Sequence, residues 1–205
     1  MSTPFDHLTL LIDAAHLKQG VRAMARQIQA ELAVLPPSEE AVLLIVMKGG
    51  ILFGVDLLRA MESAMPVVFV SRSAPDVPPL LSPADQDLLR GRHIIVADAL
   101  MDSGHSLHLL YQWLHTLDPI SVRLAVLLHK TVGQAEPLPI HYLGYEVPDV
   151  RLVGYGLDEE ERFRGLPALY TWWQTDANPY CGTGAEEPPT GKAAKNKKKK
   201  RNPKQ

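Results

Sequence analysis

Cysteine is the scarcest informative residue in this chain: Cys181 is the only one in 205 residues. A single thiol closes no internal disulfide and has no partner for a cysteine-based metal site. The surrounding Pro179-Tyr180-Cys181-Gly182 supplies no evident activating neighbour, so the thiol reads as inert. Long apolar runs are missing as well. The longest are strand-sized, such as Ala41 to Met47, too short to span a bilayer. The opening Met1-Ser2-Thr3-Pro4-Phe5-Asp6 lacks the basic-then-apolar order of a secretory signal. These scarcities argue against a disulfide scaffold and a membrane partner, and the expected compartment is cytoplasmic. No internal repeat is visible.

Acidic residues are absent from Lys192 to Gln205, where seven Lys and one Arg stand. The formal net charge of −2 therefore hides an asymmetry: the remainder holds 13 basic against 23 acidic residues, a balance of −10. The stretch Lys195 to Arg201 has no apolar residue to bury and is expected to be disordered. The chain thus divides into a domain over 1–185 and a disordered basic tail over 186–205. The tail reads as solubilising, with a salt-sensitive, sequence-blind hold on nucleic acid or another polyanion as the alternative. What precedes it is long enough for one α/β domain with a sizeable core.

Within that domain, Asp13 is placed to cap a helix whose apolar positions Leu17, Val21, Met24, Ile28 and Leu32 follow the helical spacing. Pro36-Pro37 ends the region. Ala41 to Met47 reads as a strand buried on both faces. A helix from about Phe53 to Met61 and a strand over Pro66 to Ser71 follow. The interval Arg72 to Arg92 is polar, carries four prolines and is expected to be a mobile surface excursion. His93 to Val96 is a third strand. Leu107, Leu110, Tyr111, Leu114 and Leu117 mark the core face of the next helix. Val122 to Leu128 is a fourth strand, with short strands near Ile140 to Tyr145 and Val150 to Val153. Strands alternating with helices imply a mainly parallel, doubly wound sheet with ligands beyond its carboxyl ends.

Polar residues gather just where those carboxyl ends fall. Lys48-Gly49-Gly50 follows one strand, Asp98 and Asp102 another, His129-Lys130 a third, and Gly154-Tyr155-Gly156-Leu157-Asp158 the last. Several elements then deliver Lys, Gly and Asp to one rim, as a metal-bound polyphosphate ligand requires. The richest segment is Asp102-Ser103-Gly104-His105-Ser106. Unpaired N–H groups at a helix start attract phosphate, Gly104 admits close backbone approach, and Ser103 and Ser106 add donors. A carboxylate in such a cradle repels phosphate, which points Asp102 at a proton on another substrate group. The competing reading is an ordinary helix N-cap after a strand. Lys-Gly-Gly likewise reads either as a phosphate contact or as a plain turn. Gly154-x-Gly156 lacks the third glycine of a dinucleotide fingerprint. His105 and His108 have no third ligand nearby and read as surface residues. Tyr170 and Trp172-Trp173 read as core or subunit-contact cover.

Taken together, the segments Val46 to Gly50, Asp98 to Ser106, Gly144 to Asp149, Val153 to Asp158 and Arg162 to Pro167 resemble the type I phosphoribosyltransferases. Specifically, they are similar to the hypoxanthine-guanine phosphoribosyltransferases, over roughly Leu10 to Pro167. The resemblance implies a doubly wound α/β sheet with a small hood built from N-terminal and C-terminal segments. It implies transfer of 5-phosphoribosyl from phosphoribosyl pyrophosphate to hypoxanthine or guanine, giving IMP or GMP, with Mg²⁺ and a homodimeric or homotetrameric assembly. By the same resemblance Asp102, Ser103, Gly104, His105 and Ser106 hold the 5′-phosphate, and Asp102 faces the purine N7 as general base or acid. Lys48 and Gly49 meet the pyrophosphate in a loop that carries a non-proline cis peptide, here Met47-Lys48. Asp98 contacts the ribose hydroxyls, Lys130 reaches the 6-oxo oxygen, Asp158 binds Mg²⁺ and Arg164 binds the departing pyrophosphate.

Three positions depart from that pattern. The family's adjacent acid pair is Asp98 and Ala99 here. Its Ser-Tyr lid pair is absent from Arg72 to Arg92, with Ser71 or Ser73 as partial stand-ins. The aromatic that stacks on the purine falls at Arg151, beside Leu152, which supplies backbone contacts and an apolar wall. A phosphoribosyl-binding protein without turnover, and a transferase for a different base, are the alternatives these departures leave open.

Overall fold

The computed structural model describes residues 5, 7–71, 79, 81–131 and 138–173. The basic tail, Cys181, Ser73 and the first part of the Arg72–Arg92 interval lie outside the described residues.

Helical spacing and strand-sized apolar runs fold much as the sequence dictates. Strand β1 (Leu8–Ile12) leads into helix α1 (Ala14–Leu32). Asp13 is its N-cap and accepts from His16 N at 2.8 Å, while Leu17, Val21, Met24 and Ile28 are buried. Next come β2 (Ala41–Met47), α2 (Ile51–Met61), β3 (Val67–Ser71) and α3 (Pro83–Leu89). The chain continues through β4 (His93–Met101), α4 (His105–His115), β5 (Ser121–Lys130) and β6 (Ile140–Val147), then β7 (Leu152–Val153) and β8 (Leu169–Trp172).

Five strands form a parallel sheet in the order β3-β2-β4-β5-β6. Alternate residues of β2 serve opposite faces. Leu43 and Ile45 join a core with Val21 and Ile28 of α1 and Phe53 and Leu57 of α2. Val42, Leu44 and Val46 join a second core with Leu89 of α3 and Leu107, Leu110 and Leu114 of α4. The sheet is therefore covered on both sides, which a parallel sheet needs. A second, antiparallel sheet, β1-β8-β7, is the expected hood of N-terminal and C-terminal segments. Leu152 and Leu169 knit it to the α1 side of the core. No described helix is long and apolar enough to cross a membrane.

β4, β5 and the Arg72–Arg92 interval depart from their sequence expectations. β4 does not stop at Val96 but runs to Met101, because its ladder with β5 continues through Leu100 opposite Leu128 and Met101 opposite His129. Asp98 is thus inside the strand and 6% exposed, rather than after its end. β5 in turn reaches Lys130, opposite Val147 of β6, so His129 and Lys130 are its last residues. The Arg72–Arg92 interval is not wholly an excursion. Ser82 accepts from Asp85 N, Pro83 opens α3, and Leu81 and Leu89 are buried. A proline that reads as a loop marker is at home in a helix's first turn, where its missing N–H costs no hydrogen bond.

Candidate active site

All five parallel strands end on the same rim, and the polar residues fall there in two groups. The first surrounds Lys130. Its ammonium, almost fully buried, lies 2.8 Å from Asp102 Oδ2 and 3.1 Å from Asp149 Oδ1. Burial alone would depress its pKa, but the hydrogen bonds to Asp102 and Asp149 outweigh that and raise it above the ordinary lysine value. Both carboxylates are more than half exposed, so an incoming ligand can reach them.

Beside Asp102 the backbone turns into α4. Gly104 is the N-cap with φ at +80°, a left-handed conformation that suits glycine. It offers no side-chain cap, and Ser103 Oγ stands 3.5 Å from His105 N, the outer limit of a hydrogen bond. Neither Asp102 nor Ser103 therefore acts as a conventional cap, and the start of α4 borders a small concavity. Asp98, Asp102, Ser103, Gly104 and Ser106 line this space of about 80 Å³, which has room for a compact tetrahedral anion.

The second group ties the β2–α2 loop to the segment after β7. The Met47–Lys48 peptide is cis. Lys48 Nζ lies 3.0 Å from Glu161 Oε1, and Glu161 Oε2 lies 2.9 Å from Arg164 Nη2. Arg164 also meets Asp158 Oδ1 at 2.8 Å and donates to Gly156 O at 2.9 Å. Its buried Nε has no partner among the described residues. The Arg164 guanidinium, then the Lys48 ammonium, hold the Glu161 carboxyl below the usual carboxylate range. The backbone here is unusual. Tyr155, Glu160, Glu161 and Phe163 all have positive φ, a costly choice for residues other than glycine that clusters at functional sites. Gly156, at φ +97°, packs so closely that an added Cβ would strike the carbonyl oxygen of Gly49.

The hood residues are placed differently. Leu152 is buried in β7. Arg151 is mostly exposed, with Nε 2.6 Å from Glu159 Oε2 and its guanidinium 5.9 Å from the Trp172 ring centre. Ala99 is buried in the core beside Asp98.

Residues 11–160 match the phosphoribosyl transferase domain. The hypoxanthine-guanine phosphoribosyltransferase of Mycobacterium avium is 30% identical over 177 residues, covering 82% of this chain and 87% of that protein. The chain belongs to the hypoxanthine-guanine phosphoribosyltransferase family. Among solved structures, the hypoxanthine-guanine phosphoribosyltransferase of Bacillus anthracis superposes with a TM-score of 0.71 at 30% identity, covering 79% of this chain and 95% of that one. The Trypanosoma cruzi hypoxanthine phosphoribosyltransferase in complex with its product IMP superposes with a TM-score of 0.72 at 25% identity, over 84% and 93%.

Two residues of this phosphoribosyltransferase escaped the sequence reading. Glu161 closes the Lys48–Arg164 clamp, and Asp149 is the second partner of Lys130. Glu161 sits in the run Asp158-Glu159-Glu160-Glu161, where three consecutive glutamates give no sign of which one turns inward. Asp149 ends the motif that begins at Gly144, and its only signal is its place after a strand end.

Proposed function

We propose that this chain transfers the 5-phosphoribosyl group of phosphoribosyl pyrophosphate to hypoxanthine or guanine, releasing pyrophosphate and yielding IMP or GMP. In that reaction the C1′–O bond to pyrophosphate breaks, a purine ring nitrogen bonds to C1′, and the purine gives up a proton. The concavity lined by Asp98, Ser103, Gly104 and Ser106, with His105 beside it in the chain, seats the 5′-phosphate and the ribose. Asp102, adjoining it, accepts the purine proton. Lys130 turns from Asp102 to the 6-oxo oxygen, and the carboxylate it leaves is then free to act as base. Leu152 and Arg151 flank the base from the hood, with Arg151 exchanging Glu159 for the purine face. Lys48, Gly49 and Arg164 receive the pyrophosphate, whose negative charge displaces Glu161 from the clamp. The main contribution of these residues is positioning and charge stabilisation around an oxocarbenium-like ribose.

Mg²⁺ fits this arrangement. It takes oxygen ligands and shares them with substrate phosphates, so it needs only one or two protein carboxylates. Among the described residues no three His, Cys, Asp or Glu side chains form a ready-made cage, and Asp158 stands beside the pyrophosphate clamp as the carboxylate to hold it. Bound there, the ion would offset the charge of the leaving group. A homodimer or homotetramer in the cytoplasm accords with family membership and the lone cysteine.

The observation that carries this reading is the Asp102–Lys130–Asp149 cluster at the start of α4, on the same rim as the Lys48–Arg164 clamp. The test is incubation of the full chain with phosphoribosyl pyrophosphate, Mg²⁺ and each of hypoxanthine, guanine, xanthine and adenine. Nucleotide should form with hypoxanthine or guanine. Adenine as the preferred substrate would overturn the role of Lys130, which as a pure donor favours an oxo group. No nucleotide with any base would leave a binding protein.

A further inference from the structure

A concavity outside this rim lies between α1 and α2, with a volume of about 730 Å³. None of the residues assigned to the transferase site lines it. Lys18, Arg22, Arg26 and Arg59 surround it, opposed by two carboxylates, Asp56 and Glu62. Asp56 already accepts from Tyr155 Oη at 2.7 Å and lies 3.9 Å from Arg59, which reduces the acidic charge left for the other cations. Lys18, Arg22 and Arg26 stand at four-residue intervals on α1, so they form one stripe on the helix surface. Like charges at that spacing destabilise a helix. None of the three side chains makes an ion pair or hydrogen bond among the described residues. An anion in the cavity would relieve that repulsion, and arginine suits phosphate because its planar fork donates two parallel hydrogen bonds.

The floor has a different character. Leu52, partly exposed on α2, the Tyr155 ring, Leu166 and Pro167 provide an apolar wall. A cationic rim over an apolar floor, at this volume, suits a small molecule with both a charged and a flat apolar part. We propose that this cavity binds a nucleoside polyphosphate, its phosphates on Arg22, Arg26 and Lys18 and its base over Leu52 and Leu166. The site adjoins the transferase loop: Tyr155 precedes Gly156, and Gly165 follows Arg164. Tyr155 also joins that loop to α2 through Asp56. Occupancy is therefore coupled to the affinity for phosphoribosyl pyrophosphate, and by linkage the coupling is reciprocal. This coupling, unlike the binding itself, rests on the transferase reading.

Isothermal titration of the full chain with ATP, after saturation with phosphoribosyl pyrophosphate and Mg²⁺, tests the proposal. One ATP should bind per chain, adenosine should not bind, and tripolyphosphate should bind more weakly. Arg22→Glu combined with Arg26→Glu should weaken ATP at least tenfold while leaving kcat unchanged without ATP. Arg22→Gln with Arg26→Gln repeats the test without adding acids, should the reversed charges impair folding. No ATP binding, or equal binding by both variants as expected for the Lys-rich tail or the purine site, would overturn the proposal. Adenosine or tripolyphosphate matching ATP would overturn it as well. Sensitivity to Arg22 and Arg26 reads out the cavity even if the chain fails to bind phosphoribosyl pyrophosphate, so the two failures are distinguishable.

Discussion

At the scale of single residues, Lys130 carries the chemical argument. It is buried, yet its two carboxylate partners keep its pKa above that of an ordinary lysine. A lysine whose pKa rises on folding contributes stability that is present below the unfolded value and lost only as pH rises through the folded one. Lys130→Met should therefore cost about 1–2 kcal/mol at pH 7, discounted because Asp102 and Asp149 can rehydrate. Denaturant midpoints of variant and parent should stay apart at neutral pH and draw together in strongly alkaline buffer, where the ammonium loses its proton. Equal midpoints at neutral pH would mean that the ammonium is not held by these carboxylates. Asp102 has a separate test. Asp102→Asn should lower kcat by about 10²- to 10⁴-fold, the usual worth of a positioned acid or base. Affinity for phosphoribosyl pyrophosphate, read by calorimetry, should change little. Parallel losses would make Asp102 a substrate-binding residue rather than the proton acceptor.

At the scale of elements, the site depends on how tightly two loops lie together. Gly156 at φ +97° leaves no space for a side chain against the Gly49 carbonyl. Gly156→Ala should force the Asp158–Arg164 segment away from Lys48, adding about 1–2 kcal/mol of left-handed strain. The KM for phosphoribosyl pyrophosphate should rise at least several-fold while the melting temperature falls only modestly. An unchanged KM would separate this loop from pyrophosphate binding. The same loop shows why part of the site was hidden in the sequence. Lys48, Asp102 and Asp158 could be picked out because polar residues after buried strands are easily seen, whereas Arg164 came only through the family resemblance. Glu161 could not, because its inward turn depends on positive φ at Glu160, Glu161 and Phe163, which those residue types do not advertise. Helices α1 and α4 and strand β2 were legible from periodicity over seven or more residues. β1 and β8 were not, since each is short and gains meaning only by pairing across the chain, as Leu10 does with Tyr170.

At the scale of the whole molecule, an acidic body carries a basic extension, and the match to the phosphoribosyl transferase domain, residues 11–160, falls within the body. Deleting Lys192 to Gln205 should leave kcat and KM unchanged and remove any salt-sensitive binding to a polyanion. A large fall in turnover would bring the extension into the mechanism. The doubly wound sheet unifies the rest: five parallel strands deliver the Lys48, Asp102 and Lys130 segments to one edge. The hood segment brings Asp158 and Arg164 down to meet them. The most direct test of that convergence is a crystal structure with Mg²⁺, phosphoribosyl pyrophosphate and a non-reacting 6-oxopurine analogue. Lys130 should have left Asp102 for the 6-oxygen, and Lys48 and Arg164 should have exchanged Glu161 for the diphosphate. A ligand bound elsewhere, with the Lys130–Asp102 and Lys48–Glu161 pairs intact, would contradict the account.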